Sequence, residues 1–484
     1  MKPFTTLGLG VSGALAVCAW FAAEGNPDKT VLAIAVAFVP YMIAVTGRGR
    51  KAPSIHETLA WTLAAGIPLL LAPPILSDDL YRYLWDGQVT LAGIDPYRFA
   101  PDHHALASLR SPLLDHINHR SIPTIYPPGA QGLFAMMAAL GPHPWIPKTV
   151  AFLLHLLTAW TVYGASGRSD RAALLYAQNP LALAETALSG HVDMAAGLGL
   201  VAFAWLVARK APWTAVGALA AAIGSKLIGL VAIPMLFRES RPGALVSIAI
   251  GVACIVPLLS AGYGHEPPGD ATVPSGFTQY TRRWEGNPGP IFRLLSPLSE
   301  AVVAQVGCAT DSAPGHVRLP FLRRWIDGTD GSPAGLRATF HGERKWIGDP
   351  VDFEVRALAP LVARVASFLL AMGFAIAMAR RKASPFLRLR HTVLAVLLCA
   401  PQIHPWYLLW ILPLEGVTGR RAAFLWSAIA LISYAPLGAY RASGTWAAMP
   451  MVDLGAALLV GTMVLLEVLF FRRNMGEESH PLAV

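Results

Sequence analysis

The stretch "WTLAAGIPLLLAPPILSDDLYRYLWDGQVTLAGIDPYRFAP", residues 61–101, decides how this chain is read. Its first part, 61–75, is apolar, and four aspartates follow: Asp78, Asp79, Asp86 and Asp95. Two of them are adjacent, at the point where a membrane helix leaves the lipid. A carboxylate pair there is either ordinary interfacial polarity or the working end of an enzyme.

Apolar runs of this kind recur along all 484 residues. Only 14% of residues are charged, against roughly 25% in soluble domains, and the mean hydropathy is +0.49. Candidate spans lie at about 4–23, 30–46, 57–77, 147–165, 172–188, 194–208, 213–224, 226–238, 243–262, 356–379, 389–402, 405–416, 421–440 and 447–471. Backbone polar groups in lipid must be satisfied within helices. The expected fold is therefore all-α and polytopic, with about 12–14 transmembrane helices. The run after Met1-Lys2 is read as a retained first helix, because Glu24-Gly25-Asn26-Pro27 makes a poor cleavage site.

The net charge of +9 does not mark a nucleic-acid partner. The basic residues sit in short clusters between apolar runs: Arg48/Arg50/Lys51, Arg168/Arg171, Arg209/Lys210, Arg238/Arg241, Arg380/Arg381/Lys382, Arg420/Arg421 and Arg472/Arg473. With alternating spans they fall on one side, which the positive-inside rule makes cytoplasmic, together with both termini. Cys18, Cys254, Cys308 and Cys399 have neither disulfide nor metal spacing.

Residues 131–140 are apolar but too short to cross. Residues 127–141 are read as a juxtamembrane or re-entrant helix, of the kind tolerated where it is buried or lines a cavity. Two pairs of short runs are broken at polar points, Ser225-Lys226 and Gln402-Ile403-His404-Pro405. Broken helices place polar groups within the membrane thickness, usually at a binding site. The expected organisation is a hairpin over 1–56, a helical module over 57–262 with an external loop at 78–146, an external segment over 263–355, a second module over 356–473 and a cytoplasmic tail over 474–484.

On this topology polar residues converge on the extracytoplasmic face: Asp78 and Asp79, His191 and Asp193, Lys226, Arg282 and Arg283 with Trp284, and His404 with Trp406 and Tyr407. Each has a bland reading. An Asp at a helix exit is interfacial, Gly190-His191-Val192-Asp193 is a loop turn, Lys226 snorkels, and Trp406 and Tyr407 form an aromatic belt. Glu185, inside a span, is a functional candidate by default or the partner of a helix contact. Taken together they suit sugar transfer from a lipid phosphate. A carboxylate, Asp78 or Asp79, deprotonates the acceptor hydroxyl. Lys226, His404 and Arg283 hold the leaving phosphate. No cofactor is expected, although the adjacent aspartates leave room for a divalent metal.

Ser77-Asp78-Asp79-Leu80-Tyr81-Arg82-Tyr83, then Gly93-Ile94-Asp95-Pro96-Tyr97, then Tyr126-Pro127-Pro128, resembles the first external loop of GT-C membrane glycosyltransferases. The likeness is strongest to polyprenyl-phosphate-mannose-dependent mannosyltransferases, including the bacterial α-mannosyltransferases of phosphatidylinositol-mannoside and lipoglycan synthesis. Asn179-Pro180-Leu181 with Glu185 and Gly190-His191-Val192-Asp193 resembles the second motif region, and His404-Pro405-Trp406-Tyr407 the late histidine-proline motif. The resemblance covers residues from about 75 to 415.

It implies the GT-C fold, with juxtamembrane helices in the first external loop, in a bacterial inner membrane. It also implies a catalytic acid in that loop, best matched by Asp79, with Asp78 the alternative. Tyr83, Arg82, Tyr126, His191, Asp193, Glu185, Trp406 and Tyr407 are the expected substrate contacts. Implied partners are a polyprenyl-phosphate-linked sugar donor, a lipid or glycan acceptor, and membrane lipids. The chain departs from the pattern in having two spans before the motif and a basic, Gly-rich insertion around 308–350. The first expectation is an inverting mannose transfer. Arabinofuranose or another hexose is the alternative sugar, and a lipid or glycan transporter or a non-catalytic lipid-binding scaffold the alternative class.

Overall fold

In the computed structural model the described residues are 3–47, 51–263, 272–283, 286–308, 329–332, 335–340, 343–346, 350–444 and 449–474. The chain begins with a helical pair, α1 (Pro3–Ala23) and α2 (Pro27–Thr46), the second capped by the Asn26 side chain. A capping box between Ser54 and Glu57 starts α3 (Ile55–Leu71). The next helices are α4 (Asp79–Leu91), α5 (Pro128–Leu140) and α6 (Trp145–Ala165). Between α4 and α5 the chain makes two short 3-10 turns, His104–Leu109 and Pro112–His116.

After α7 (Asp170–Ala177) the chain breaks at Asn179. The Asn179 side chain caps α8 (Pro180–Leu183) by accepting from Ala182 N at 3.0 Å, while its Nδ2 donates to Ser427 Oγ at 2.8 Å. A π-helical turn, Ala184–Leu188, follows directly. Then come α9 (Asp193–Ala208), α10 (Pro212–Ser225), a 3-10 turn over Leu227–Ala232, α11 (Ile233–Glu239) and α12 (Arg241–Leu258).

Short antiparallel strands β1 (Gly262–Tyr263) and β2 (Thr272–Val273) precede α13 (Gly276–Arg283) and α14 (Pro290–Cys308). Strands β3 (Thr329–Ser332), β4 (Gly335–Phe340) and β5 (Glu343–Trp346) form an antiparallel sheet. The last helices are α15 (Pro350–Arg380), α16 (Pro385–Cys399), α17 (Leu412–Thr418), α18 (Ala422–Ile429), α19 (Leu437–Ser443) and α20 (Pro450–Asn474). A 3-10 turn, Pro405–Trp410, runs into α17.

Two compact units result. The larger comprises Met1–Asn287, Phe374–Ala395 and His404–Val484; the smaller comprises Pro288–Gly373 and Val396–Ile403. Within the larger unit α4 lies along α5, and α9 lies between α6 and α10. Within the smaller unit Gly289 N donates to Ala400 O at 2.9 Å.

The protein is an all-helical polytopic membrane protein with minor strand pairing. Among the described residues six helices are long and apolar enough to cross a bilayer, and three shorter apolar ones accompany them. Among the described residues each apolar run read from the sequence is helical over most of its length, two of them opening as 3-10 turns, and residues 127–141 do form a short helix. Two expectations need correction. The third span does not run to 77: α3 stops at Leu71, where the pair Pro73-Pro74 removes two consecutive backbone donors and disfavours helical backbone at the residue before each. Asp79 therefore opens a new helix instead of closing a span. The run 172–188 is not continuous either, since Asn179-Pro180 caps and restarts it.

Candidate functional site

The larger unit gathers most of the residues singled out in the sequence around the first turn of α4. Ser77 Oγ accepts from Asp79 N at 3.2 Å, which orients the start of the helix. A helix N-terminus favours a carboxylate. Asp79 Oδ2 accepts from Tyr126 Oη at 3.3 Å and lies 4.0 Å from His191 Nδ1.

Two backbone features bring these groups together. At Gly129 the chain approaches Gly224 so closely that a Cβ would lie 2.7 Å from its carbonyl. That contact sets Tyr126-Pro127-Pro128 beside Ser225-Lys226, and Lys226 Nζ sits 4.8 Å from the Tyr126 ring centre. At Gly190 the chain turns with φ +74°, and a Cβ would lie 3.1 Å from Lys148 N. The left-handed conformation suits glycine. The turn directs His191 back towards α4, with its backbone N–H donating to Glu185 O at 2.9 Å.

Asp193 opens α9. Its Oδ1 accepts from Trp410 Nε1 at 3.0 Å, and its Oδ2 lies 3.2 Å from Lys226 Nζ. Lys226 stands at the break between α10 and the following 3-10 turn. The second break supplies an aromatic wall. Trp406 is clasped between two imidazoles, His191 at 4.0 Å and His404 at 4.3 Å between ring centres. Tyr407 stacks on Trp410 at 4.3 Å, and its hydroxyl is 2.7 Å from that of Tyr280.

Exposure separates the acids. Asp79 keeps 24% of its side-chain surface accessible, whereas Asp193, Glu185 and His191 keep 0%. Among these acids and the histidine, Asp79 is thus the group an incoming hydroxyl can reach. Burial pushes its carboxyl up to about 6, against the opposing pull of the Lys226 charge. A general base is best poised near working pH.

Other expected contacts have different surroundings. Asp78 points to α19, where Arg441 Nη2 donates to its Oδ1 at 3.0 Å. Arg82 is buried and donates to Asp86 Oδ1 at 2.7 Å, so Asp86 is an interior partner and not a surface carboxylate. Tyr83 is buried, stacked on Phe134 at 4.6 Å, with its hydroxyl 3.4 Å from His191 Nδ1. Glu185 is fully buried and accepts from Tyr434 Oη at 2.5 Å. Arg283 ends α13, but its side chain and Trp284 lie outside the described residues. Among the described residues no three His, Cys, Asp or Glu side chains are grouped to hold a metal ion.

Sequence reasoning missed several members. Lys148 is buried, and its ammonium donates to the carbonyls of Leu69 and Leu70 at 2.8 Å and to that of Ala72, closing the free end of α3. A lone cation in the apolar run of α6 was the available signal. Tyr280, Tyr434 and Arg441 carried no local signal, since each meets its partner from a distant element.

Fold and site together define a helical membrane protein with a carboxylate at the head of a juxtamembrane helix, backed by a cation, imidazoles and an aromatic wall. Comparison with known proteins finds mannosyltransferases. Residues 10–238 match the family described as alpha-(1->6)-mannopyranosyltransferase, N-terminal domain. A probable alpha-(1->6)-mannopyranosyltransferase of Mycolicibacterium smegmatis is 37% identical over 71 residues, 15% of this chain and 11% of the relative. An alpha-(1->6)-mannopyranosyltransferase of Mycobacterium tuberculosis is 24% identical over 84% of this chain and 73% of its own. Alpha-(1->6)-mannopyranosyltransferase B of Corynebacterium glutamicum is 25% identical over 84% and 66%. No solved structure matches the chain. The GT-C mannosyltransferase resemblance read from the motifs is the one these similarities support.

Proposed function

We propose that the protein is an inverting membrane mannosyltransferase. It takes mannose from a polyprenyl-phosphate donor and adds it to a lipid or glycan acceptor on the extracytoplasmic face of a bacterial inner membrane, with both termini cytoplasmic. The names of the relatives favour an α-(1→6) linkage. The observation that carries the reading is the reachable Asp79 carboxylate set against Lys226 and the Tyr126 hydroxyl, inside the segment that matches the mannosyltransferase family.

In this reading Asp79 removes the proton of the acceptor hydroxyl as that oxygen attacks the anomeric carbon. The bond from that carbon to the phosphate oxygen breaks on the opposite face, which inverts the configuration. The leaving phosphate takes the electron pair, and Lys226 and His404, with Arg283 on α13, hold its charge. The step uses no cofactor. Trp406, stacked with the His191 and His404 imidazoles, shapes the wall.

The test is purified protein in vesicles with labelled polyprenyl-phosphate mannose and a lipid acceptor. Covalent transfer of label is the expected result. Movement of label across the bilayer without transfer would replace the enzyme with a transporter.

A further inference from the structure

Behind Asp79 lies a feature that the transfer step does not use. His191 Nε2 faces Glu185 Oε2 at 3.5 Å, and neither atom has a hydrogen-bond partner. Both side chains have 0% accessible surface. A buried polar atom without a partner is costly and calls for an explanation. Here two such atoms point at each other, one from the Gly190 turn and one from the π-helical turn Ala184–Leu188. A π turn is a frequent mark of a functional position.

The other end of the imidazole faces the base: His191 Nδ1 is 4.0 Å from Asp79 Oδ2 and 3.4 Å from Tyr83 Oη. The opposite oxygen of Glu185 accepts from Tyr434 Oη at 2.5 Å. The Trp406 ring packs flat on His191, with ring centres 4.0 Å apart, and so restrains the tilt of the imidazole.

We propose that Asp79, His191 and Glu185 form a proton relay leading from the surface-facing base into the protein interior. The inference rests on the transferase reading above. Asp79 first takes the acceptor proton. It then gives that proton to His191 Nδ1, while the proton on His191 Nε2 passes to Glu185 Oε2. The imidazole ends neutral in its other tautomer, Asp79 is again a carboxylate, and Glu185 is neutral. The proton leaves by the reverse route after the phosphate has departed. The gaps of 4.0 and 3.5 Å are those of a resting site, and such contacts tighten when substrate is bound. His191 and Glu185 act through Asp79 and are positioning residues.

The titratable groups around the relay come from every packed element. Tyr83 lies on α4 beside Asp79, Tyr126 precedes α5, Asp193 and Lys226 pair between α9 and α10, and Tyr434 faces Glu185. His404 stands on the far side of Trp406. None of them lies between the two orphan atoms.

The experiment compares wild-type protein, Glu185→Gln and Tyr434→Phe in transfer from polyprenyl-phosphate mannose, with rates measured in mixtures of H2O and D2O. Glu185→Gln keeps the side-chain volume and a hydrogen-bonding oxygen for Tyr434. The expected results are a turnover reduced about ten-fold or more, an unchanged KM for donor, and a rate that falls linearly with deuterium fraction where wild type curves. Tyr434→Phe leaves Glu185 without its donor and should reduce turnover with the curve retained. If Glu185→Gln fails to fold, loss of turnover with retained curvature in Tyr434→Phe supports the relay, and wild-type turnover there overturns it. A folded Glu185→Gln protein with wild-type turnover, or with a curve of the wild-type shape, overturns the relay while leaving the transferase reading intact. Wild-type protein that transfers no label overturns both.

Discussion

Two clusters of buried charge within the larger unit answer the same problem differently. In the first, Arg390 is clamped between two acids. Its Nε and Nη2 donate to Glu415 Oε1 at 2.9 and 2.7 Å, and Nη2 donates to Glu467 Oε2 at 2.7 Å. The backbone N–H of Ala423 adds another donor to Glu415 at 3.2 Å. Apart from Glu415 Oε2, the charges there are matched. Around Asp79 the matching is incomplete: Asp193 is paired with Lys226, but Glu185 Oε2 and His191 Nε2 have no hydrogen-bond partner. A closed cluster holds helices together. An open one keeps capacity in reserve for a ligand or a moving proton.

The sharpest way to break this contrast is Asp79→Asn. Transfer should fall by at least about 100-fold, with donor binding and melting temperature retained, measured on purified protein with labelled donor. If Asp78→Asn is inactive and Asp79→Asn works, the base moves by one residue. The opposite behaviour is expected of Arg390→Met. Leaving Glu415 and Glu467 buried without their cation should cost about 3–5 kcal/mol of stability, read as a lower melting temperature, while the folded fraction still binds donor.

Lys226→Ala removes a cation from the open cluster and should weaken donor binding about ten-fold in a direct binding assay. It also changes the response to pH. Asp79 must be a carboxylate to act as base, so transfer should decline as pH falls through about 6. Lys226 pulls this carboxyl down, so its loss should move the decline to higher pH in a rate–pH profile. The smallest effect is expected from Arg441→Gln. Its bond to Asp78 is partly exposed, and such pairs contribute only about 0.2–1 kcal/mol. Turnover should change by a few-fold at most.

Much of the fold was legible because apolar length marks a membrane helix, and among the described residues the runs are helical over most of their length. The break at Lys226 and the break at His404 were visible as polar interruptions in apolar sequence. The end of α3 was misplaced because Ile75 and Leu76 extend the apolar run past Pro73-Pro74, and composition outweighed the backbone rule. The position of Asp79 at an exposed helix start was readable from its motif, but the surroundings of its neighbours were not. For Arg82 and Trp406 only packing shows the protein partners, Asp86 for the first and the His191 and His404 rings for the second. The Tyr434–Glu185 bond joins elements 249 positions apart, and a single sequence has no local pattern that records such a pairing.

The clasped Trp406 ring has a consequence for dissection of the chain. The family match ends at residue 238, yet the surface that holds His191 in place is supplied by residue 406, and the hydroxyl behind Glu185 by residue 434. The first half contains the acids but not the parts that aim them. Expressed alone, residues 1–240 should be inert, and co-expression with the remaining helices should restore the site by re-forming one ring stack across the cut.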